Sequence, residues 1–387
     1  MNKRRRAPKK KILVITGTRA EYGLLRSTLA GLRRSKTLAW RLLVTGMHTL
    51  RRYGHTIDEI KRDRVPIAAV VPVRESDDML TALSREIMGI KRYCERQRPD
   101  LILVLGDRDE PFAGAIVGGH LKIPLAHIHG GDVTSAIVDE YIRHSITKFS
   151  HLHFTASPQS YQRVIKLGEE PWRVHCVGAP GIDALRTAPV MTRQALARAL
   201  GVRPDRPWLV LIQHPAPLDP VPVAGQISPT LRALTHFSPY EKLLIYPNSD
   251  EGSATIIKAL ERQRGRAGWY LFRNIPHRQY LNLLREAAVL VGNSSSGIIE
   301  STWFQLPAVN IGPRQQGREC GRNVLSAGYR EQAISAAITR AISLPFRARC
   351  RRARSPYGDG RAGNRIVRLL ERLINHPRLS AKKFTYA

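Results

Sequence analysis

Apolar residues in this chain gather in short runs, each followed by a polar turn and then by a stretch with helical spacing. In the first half the runs are Lys11–Thr16, Arg41–Thr45, Ile67–Val73, Leu101–Leu105, Ile123–Ile128, His151–Ala156 and Val174–Val177. Runs this short and continuous suit strands buried on both faces of a parallel sheet. Helices are predicted from the Gly17 turn to Arg34, over Asp77–Arg96 and over Pro158–Leu167. Thr187–Arg206 breaks the pattern with a short helix and a proline-rich exit. The alternation then resumes with strands at Trp208–Ile212, Leu243–Tyr246, Trp269–Phe272, Ala288–Val291 and Ala308–Ile311, the last being the final strand expected. The proline-rich segment Ala216–Pro229 reads as a loop. Helices are expected at His277–Glu286, Ile298–Phe304 and Ile334–Ile342. The last helix, Ala362–Ile374, carries Ile366, Leu369, Leu370 and Leu373 on one stripe.

Strands alternating with helices predict an α/β chain of two Rossmann-like doubly wound domains facing a cleft. Residues 1–10 read as a disordered basic tail, 11–186 as the first domain, 187–356 as the second and 377–387 as a tail.

In open sheets of this kind ligands bind beyond the carboxyl ends of the strands. Two polar clusters stand at such ends. One is Gly106-Asp107-Arg108-Asp109-Glu110. The other is His127, His129, Gly130, Gly131 and Asp132, followed by Asp139-Glu140 and Arg143-His144. The first turn, Gly17 to Gly23, is neither GxGxxG nor a P-loop, but Arg19 and Glu21 could point into a cleft there. In the second half, Gly292-Asn293-Ser294-Ser295-Ser296-Gly297 joins a strand to a predicted helix. Serine hydroxyls and unpaired first-turn N–H groups would hold phosphate oxygens, and Arg314 and Arg318 on the next exit loop would complete the site. Asn248, after Leu243–Tyr246, and His214, after Trp208–Ile212, stand at two further strand ends.

Charge and composition narrow the class only a little. The chain has 387 residues, 43% hydrophobic, and a formal net charge of +31. The excess is concentrated at the ends: residues 1–11 hold seven Lys or Arg and no acid, and residues 340–387 hold thirteen against Asp359 and Glu371. Such tails can attract nucleic acid, yet the tyrosines do not interleave with basic residues, so nucleic acid is not the expected partner. No apolar run approaches the ~20 residues of a membrane span, and none has the form of a secretory signal. Cys94, Cys176, Cys320 and Cys350 form no CxxC, so reduced thiols and a cytoplasmic setting are expected. His127 and His129 alternate like metal ligands, but no further ligand has suitable spacing, and no metal is expected.

The fragments GTRAEYG, TGMH, LGDRDE, HIHGG, DEYIRHSITK, GNSSSGIIE, NIGPRQQGR and SPYGDG, in this order, resemble the hydrolysing UDP-N-acetylglucosamine 2-epimerases of sialic acid-type and legionaminic acid-type sugar biosynthesis. The resemblance spans about residues 11–376. It implies the GT-B arrangement, with the C-terminal helix (357–376) crossing back to the first domain. It implies no cofactor, a UDP-sugar substrate and assembly as a homodimer or homotetramer. The reaction implied is elimination of UDP to a 2-acetamidoglycal, then hydration to the free C2-inverted sugar. Asp107, Asp132, Asp139 and Glu140 match carboxyls that the family uses, with His214 assisting the leaving phosphate. Arg19, Glu21, Arg143, Asn248, Ser294, Ser295, Ser296, Gly297, Glu300, Arg314 and Arg318 are the expected substrate contacts.

Family members usually have Glu where this chain has Asp132, and often Glu-Thr where it has Ala216-Pro217. Both departures bear on the sugar, which is plain N-acetylglucosamine or a 2,4-diacetamido-6-deoxy analogue. Non-hydrolysing relatives have Glu-Ala-Gly at His129-Gly130-Gly131, which favours the hydrolysing branch. The alternatives are a glycosyltransferase of the same fold and the non-hydrolysing epimerase.

Overall fold

The computed structural model describes residues 8–133, 137–217, 219–247 and 251–385. Residues 1–7 of the expected basic tail and Asn248 of the expected substrate contacts lie outside the described residues. The chain divides into two compact units, Met1–Ala184 with Tyr357–Ala387, and Leu185–Pro356.

The first unit is built on seven parallel strands: β1 (Lys10–Thr16), β2 (Leu38–Val44), β3 (Ile67–Val70), β4 (Leu101–Leu105), β5 (Leu125–Ile128), β6 (Leu152–Thr155) and β7 (Val174–Cys176). Their order across the sheet is β3-β2-β1-β4-β5-β6-β7. Its helices are α1 (Arg19–Arg34), α2 (Ile57–Arg62), α3 (Met79–Gln97), α4 (Asp109–His120), α5 (Ile137–Phe149), α6 (Pro158–Lys166) and α7 (Pro180–Thr187). Strands β4 and β5 are wholly buried. That is why their sequences are continuous apolar runs with no alternation. One core layer holds Leu25 and Leu29 of α1 against Leu42, Leu103 and Phe154; the other holds Ile90 of α3, Ala113 of α4 and Ile146 of α5 against Ile15 and Val104.

The second unit has helices α8 (Arg193–Leu200), α9 (Val223–Thr235), α10 (Ser253–Glu261), α11 (His277–Glu286), α12 (Glu300–Trp303), α13 (Glu331–Ile342) and α14 (Leu344–Arg351). They accompany six parallel strands: β8 (Trp208–Ile212), β9 (Glu241–Ile245), β10 (Trp269–Phe272), β11 (Val289–Gly292), β12 (Ala308–Ile311) and β13 (Val324–Ala327), in the order β10-β9-β8-β11-β12-β13. Both sheets share the doubly wound order, with neighbouring strands diverging on either side of β1–β4 and β8–β11.

Three expectations are corrected. The segment read as a loop holds the first half of α9, which continues to Thr235, with Pro222 as its cap and Pro229 inside it. Pro229 faces the carbonyl of Gly225 four residues back, where no side chain adds to the crowding. Ala308–Ile311 is not the last strand, because β13 pairs alongside it from Ala308–Val324 to Ile311–Ala327. Residues 377–385 are not a loose tail. Arg173, fully buried, donates to the carbonyls of Leu379 (2.8 Å), Arg378 (2.8 Å) and Ala381 (2.9 Å). Lys382 Nζ reaches Glu169 at 2.8 Å and the Ser150 carbonyl at 2.7 Å.

The last helix, α15 (Ala362–Leu373), belongs to the first unit and packs on α1. Asp183 caps it, accepting from the N–H groups of Ala362 (2.9 Å) and Gly363 (2.8 Å). Gly363 lies so close to α1 that a Cβ there would meet the Ser27 backbone at 2.6 Å.

Candidate functional site

The densest polar constellation lies at the carboxyl ends of β4 and β5 and on the first turns of α4 and α5. Arg143, one turn into α5, is its centre. The Arg143 side chain is only 1% exposed, and its guanidinium pairs with Asp107 through Nη2 and with Glu140 through Nη1. Nη1 also donates to the Asp132 carbonyl at 2.8 Å. The planar fork of arginine suits such simultaneous contacts, whereas an ammonium would serve one partner well. Glu140 reaches His144 Nε2 at 3.2 Å, using the i,i+4 spacing of the helix. Arg143, expected to contact substrate, is instead committed to three groups of the protein. Its place is to hold carboxylates.

Asp139 stands beside this network. Burial raises its pKa first, and the nearby Asp107 charge adds to the rise, while Arg108 and Arg143 oppose it. A carboxylate made more basic in this way is better suited to take a proton from a weak acid.

Asp132 is held differently. One carboxylate oxygen lies 2.8 Å from His129 Nδ1 and the other accepts from Ser160 Oγ at 2.7 Å. Ser160 is in the first turn of α6, which Ser157 caps at the Ser160 N–H (3.2 Å). Gly131 makes this approach possible. Its φ is +79°, and a Cβ there would stand 2.2 Å from the Ser160 carbonyl oxygen. His129 itself has φ +70°, an uncommon conformation for a residue with a side chain and one that recurs at functional sites.

His127 is not available as a ligand. Its Nε2 lies 2.8 Å from the Gly106 carbonyl, its Nδ1 3.3 Å from Thr147 Oγ1, and burial lowers its pKa to about 3. His153 is fully buried on an interior strand and paired with Glu169 at 3.1 Å. Among the described residues no cluster of His, Cys, Asp and Glu is arranged to hold a metal ion. Cys94, Cys176, Cys320 and Cys350 form no disulfide.

Arg19 and Glu21 stand apart from these groups. The Arg19 side chain is 74% exposed and pairs with Glu59 at 3.1 Å. Glu21 turns inward: its Oε2 accepts from the N–H groups of Gly17 (2.8 Å) and Thr18 (3.1 Å) in a capping box. It is corrected from a substrate contact to a helix cap. Burial, helped by Glu110, pushes its pKa up to about 8. Glu86 and Glu110 are also buried there, with raised pKa values. The sequence offered no sign of this inward acid cluster, since the three residues lie on three different helices.

In the second unit the expected phosphate loop takes another form. After β11 the chain makes a 3₁₀ turn at Ser295–Gly297 and then only the four-residue α12, rather than a helix over Ile298–Phe304. Ser294 Oγ accepts from the Ser296 N–H at 3.3 Å, and the amides of Gly297, Ile298 and Ile299 bond to carbonyls within the turn. No long helix therefore starts at this loop, and of the expected anion-binding groups the serine hydroxyls and the arginines are left. Asn293 ties the loops together. Its Oδ1 accepts from the His214 N–H (2.7 Å), its Nδ2 donates to the His214 carbonyl (2.9 Å), and its own carbonyl accepts from Gln315 (2.7 Å) and Arg314 (3.4 Å). Neither Asn293 nor Gln315 was expected in the site. Glu300 is raised in pKa by burial and hydrogen-bonded to Ser296. Arg318 and Gly317 line a cavity of about 620 Å³ with Gln315 and Tyr329. Among the described residues no helix is long and apolar enough to cross a membrane.

The family model described as UDP-N-acetylglucosamine 2-epimerase matches residues 30–371. A Legionella pneumophila protein, UDP-N,N'-diacetylbacillosamine 2-epimerase (hydrolyzing), is 34% identical over 97% of this chain and 100% of its own length. A Neisseria meningitidis UDP-N-acetylglucosamine 2-epimerase is 32% identical over 87% of this chain and 88% of its own. The crystal structure of UDP-GlcNAc 2-epimerase from Neisseria meningitidis bound to UDP-GlcNAc superposes with a TM-score of 0.76 at 17% identity, covering 94% of this chain and 100% of that one. That likeness bears on the fold, and it agrees with two parallel sheets each flanked by helices. With a family match over most of the chain and relatives above 30% identity along nearly its full length, the protein belongs to the UDP-N-acetylglucosamine 2-epimerase family.

Proposed function

We propose that the chain is a hydrolysing 2-epimerase. It converts UDP-N-acetylglucosamine, or a UDP-2,4-diacetamido-6-deoxy analogue, to UDP and the free C2-inverted sugar. The observation that carries this reading is the Arg143 network, which gathers several carboxyls with different surroundings at one set of strand ends. Proton abstraction from C2 needs a base, and Asp139, with its raised pKa, is the best placed of the set. As the C1–O bond breaks, positive charge grows on the ring, and the carboxyl groups of Asp107 and Glu140 stabilise it. Ser295, Ser296, Arg314 and Arg318 hold the diphosphate, His214 assists its departure, and Gly297 and Glu300 complete the substrate contacts. The name of the Legionella relative supports hydrolysis and the diacetamido sugar alike.

A second reading is the non-hydrolysing epimerase, which inverts C2 and keeps the sugar on UDP. The Neisseria relative is named a UDP-N-acetylglucosamine 2-epimerase, a name that this reading fits. A glycosyltransferase would need an acceptor and would show little turnover with nucleotide sugar alone. One experiment separates all three: incubation with each donor in D2O and in 18O-water, read by mass spectrometry. Hydrolytic epimerisation gives UDP and a free sugar with deuterium at C2 and 18O at C1. Recovery of an inverted UDP-sugar with no release of UDP would establish the second reading. UDP with a free sugar unlabelled and uninverted at C2 would overturn both.

A further inference from the structure

We infer that His129 is the base that deprotonates the incoming water in the hydration step, and that Asp132 acts through it as a positioning residue. The inference rests on the hydrolytic reading above and assigns its second half-reaction.

An ionised carboxylate only accepts hydrogen bonds, so the contact between Asp132 Oδ2 and His129 Nδ1 at 2.8 Å requires the proton on Nδ1. The neutral ring then carries its lone pair on Nε2. That atom is buried and has no hydrogen-bond partner among the described residues. A buried ring nitrogen left unpaired is costly unless a ligand group is meant to meet it. The ring is also held firmly from behind. Ser160 Oγ fixes the other oxygen of Asp132 at 2.7 Å, and the Asp132 carbonyl accepts from Arg143 at 2.8 Å. The charged and titratable groups around it are thus Asp132 and His127, and Arg143 with its partners Asp107 and Glu140.

A carboxylate orienting a histidine whose far nitrogen is open is the arrangement used to remove a proton from an O–H group. The hydration step contains one such proton. The water oxygen bonds to C1 of the glycal, and its O–H bond breaks toward Nε2. The C1=C2 π electrons form the new C2–H bond with a proton from a carboxyl of the Asp107, Asp139 and Glu140 set. The imidazolium, stabilised by Asp132, returns its proton to solvent after the sugar leaves. The shorter Asp132, in place of the family's usual Glu, serves this role: its two oxygens are taken by His129 and Ser160. The positive φ of His129 places the ring after β5 and out of the strand's alternation.

The test uses His129→Asn, because asparagine tolerates positive φ and lacks the second ring nitrogen. Hydration should fall by about 10²–10⁴-fold, the usual contribution of a general base. UDP release should continue, with 2-acetamidoglycal appearing in place of free sugar. Added imidazole should restore the sugar. Asp132→Asn should shift the products the same way, and the double variant should be no worse than the slower single one. Free sugar at the wild-type ratio from His129→Asn would overturn the assignment. So would joint loss of UDP release and sugar with no glycal and no imidazole rescue, in a variant with wild-type circular dichroism. Failure of the hydrolytic reading would show itself separately, in the wild-type protein: UDP-sugar inverted at C2 with no UDP set free.

Discussion

Replacing Arg143 by methionine tests whether this residue holds the carboxylates or the substrate. The guanidinium is buried and serves Asp107, Glu140 and the Asp132 carbonyl at once. Methionine fills much of the same volume and removes every donor. Asp107 and Glu140, whose side chains are about a quarter exposed (26% and 27%), would then lose their shared cation and face each other and Asp139. Breaking a buried ion pair from one side costs about 3–5 kcal/mol, and partial exposure of both acids brings this to about 2–4 kcal/mol. Protonation limits the loss. An ordinary carboxylic acid can be protonated at pH 7 for about 4 kcal/mol and at pH 5 for about 1.4 kcal/mol, so the destabilisation should shrink as the pH falls. Hydrogen-exchange protection of peptides from α4 and α5, measured at both pH values, reads this locally. In steady-state assays kcat should drop by two or more orders of magnitude while the affinity for UDP holds. Arg143→Lys keeps the charge but cannot span three acceptors, so it should fall between the two. Unchanged protection in the methionine variant, with a KM at least ten times higher and a normal kcat, would show that Arg143 binds substrate and would refute the reasoning.

Glu86 has its pKa raised from 4.5 to about 9, chiefly by burial, so the folded chain keeps a proton that the unfolded chain has released. Its contribution is therefore fully present below pH 4.5 and is lost as pH rises through about 9. Glu86→Gln should melt higher than the parent at pH 8 and about equally at pH 4.5; a melting temperature lowered at both values would sink this. A chain ending at His376 takes three carbonyl acceptors from Arg173, which keeps Glu170, and removes Lys382 from Glu169, and should lose roughly 1–3 kcal/mol in thermal unfolding; an unaltered melt would return this segment to the status of a tail. Gly131→Ala should cost activity and stability far more than Gly130→Ala, whose Cβ would meet side-chain atoms at 3.0–3.1 Å instead of a backbone oxygen at 2.2 Å. Equal effects in activity and melting assays would remove the proposed reason for that glycine.

The central strands were legible because burial on both faces leaves an unbroken apolar run, as in LILVL of β4. β13 was not, because it is a half-buried edge strand whose four residues include a serine. α9 was hidden by its prolines, two of which sit where a helix can bear them, at the cap and opposite a glycine. The carboxyls of the candidate site were legible as types at strand ends, but their partners were not. Asp107 and Arg143 meet across 36 residues of sequence, and only the Glu140–Arg143 spacing was local. The alternation of His127 and His129 suggested a shared face. It failed because β5 ends at Ile128 and His129 leaves the extended conformation.

The same strand ends carry two populations of acid, and the difference between them is a matter of direction. Asp107 and Glu140 point to the Arg143 guanidinium and pair with it. Glu21, Glu86 and Glu110 point into the interior, where burial and their mutual repulsion favour the proton. Asp107 and Glu110 are only three residues apart, across the start of α4. That short turn therefore separates a site able to stabilise cationic character from a core able to tolerate carboxyls only when neutral. The large positive charge of the chain does not create this division, because most of it lies at the ends of the sequence. One buried guanidinium, placed by the helical turn between Asp139 and Arg143, gathers Asp107 and Glu140 at these strand ends.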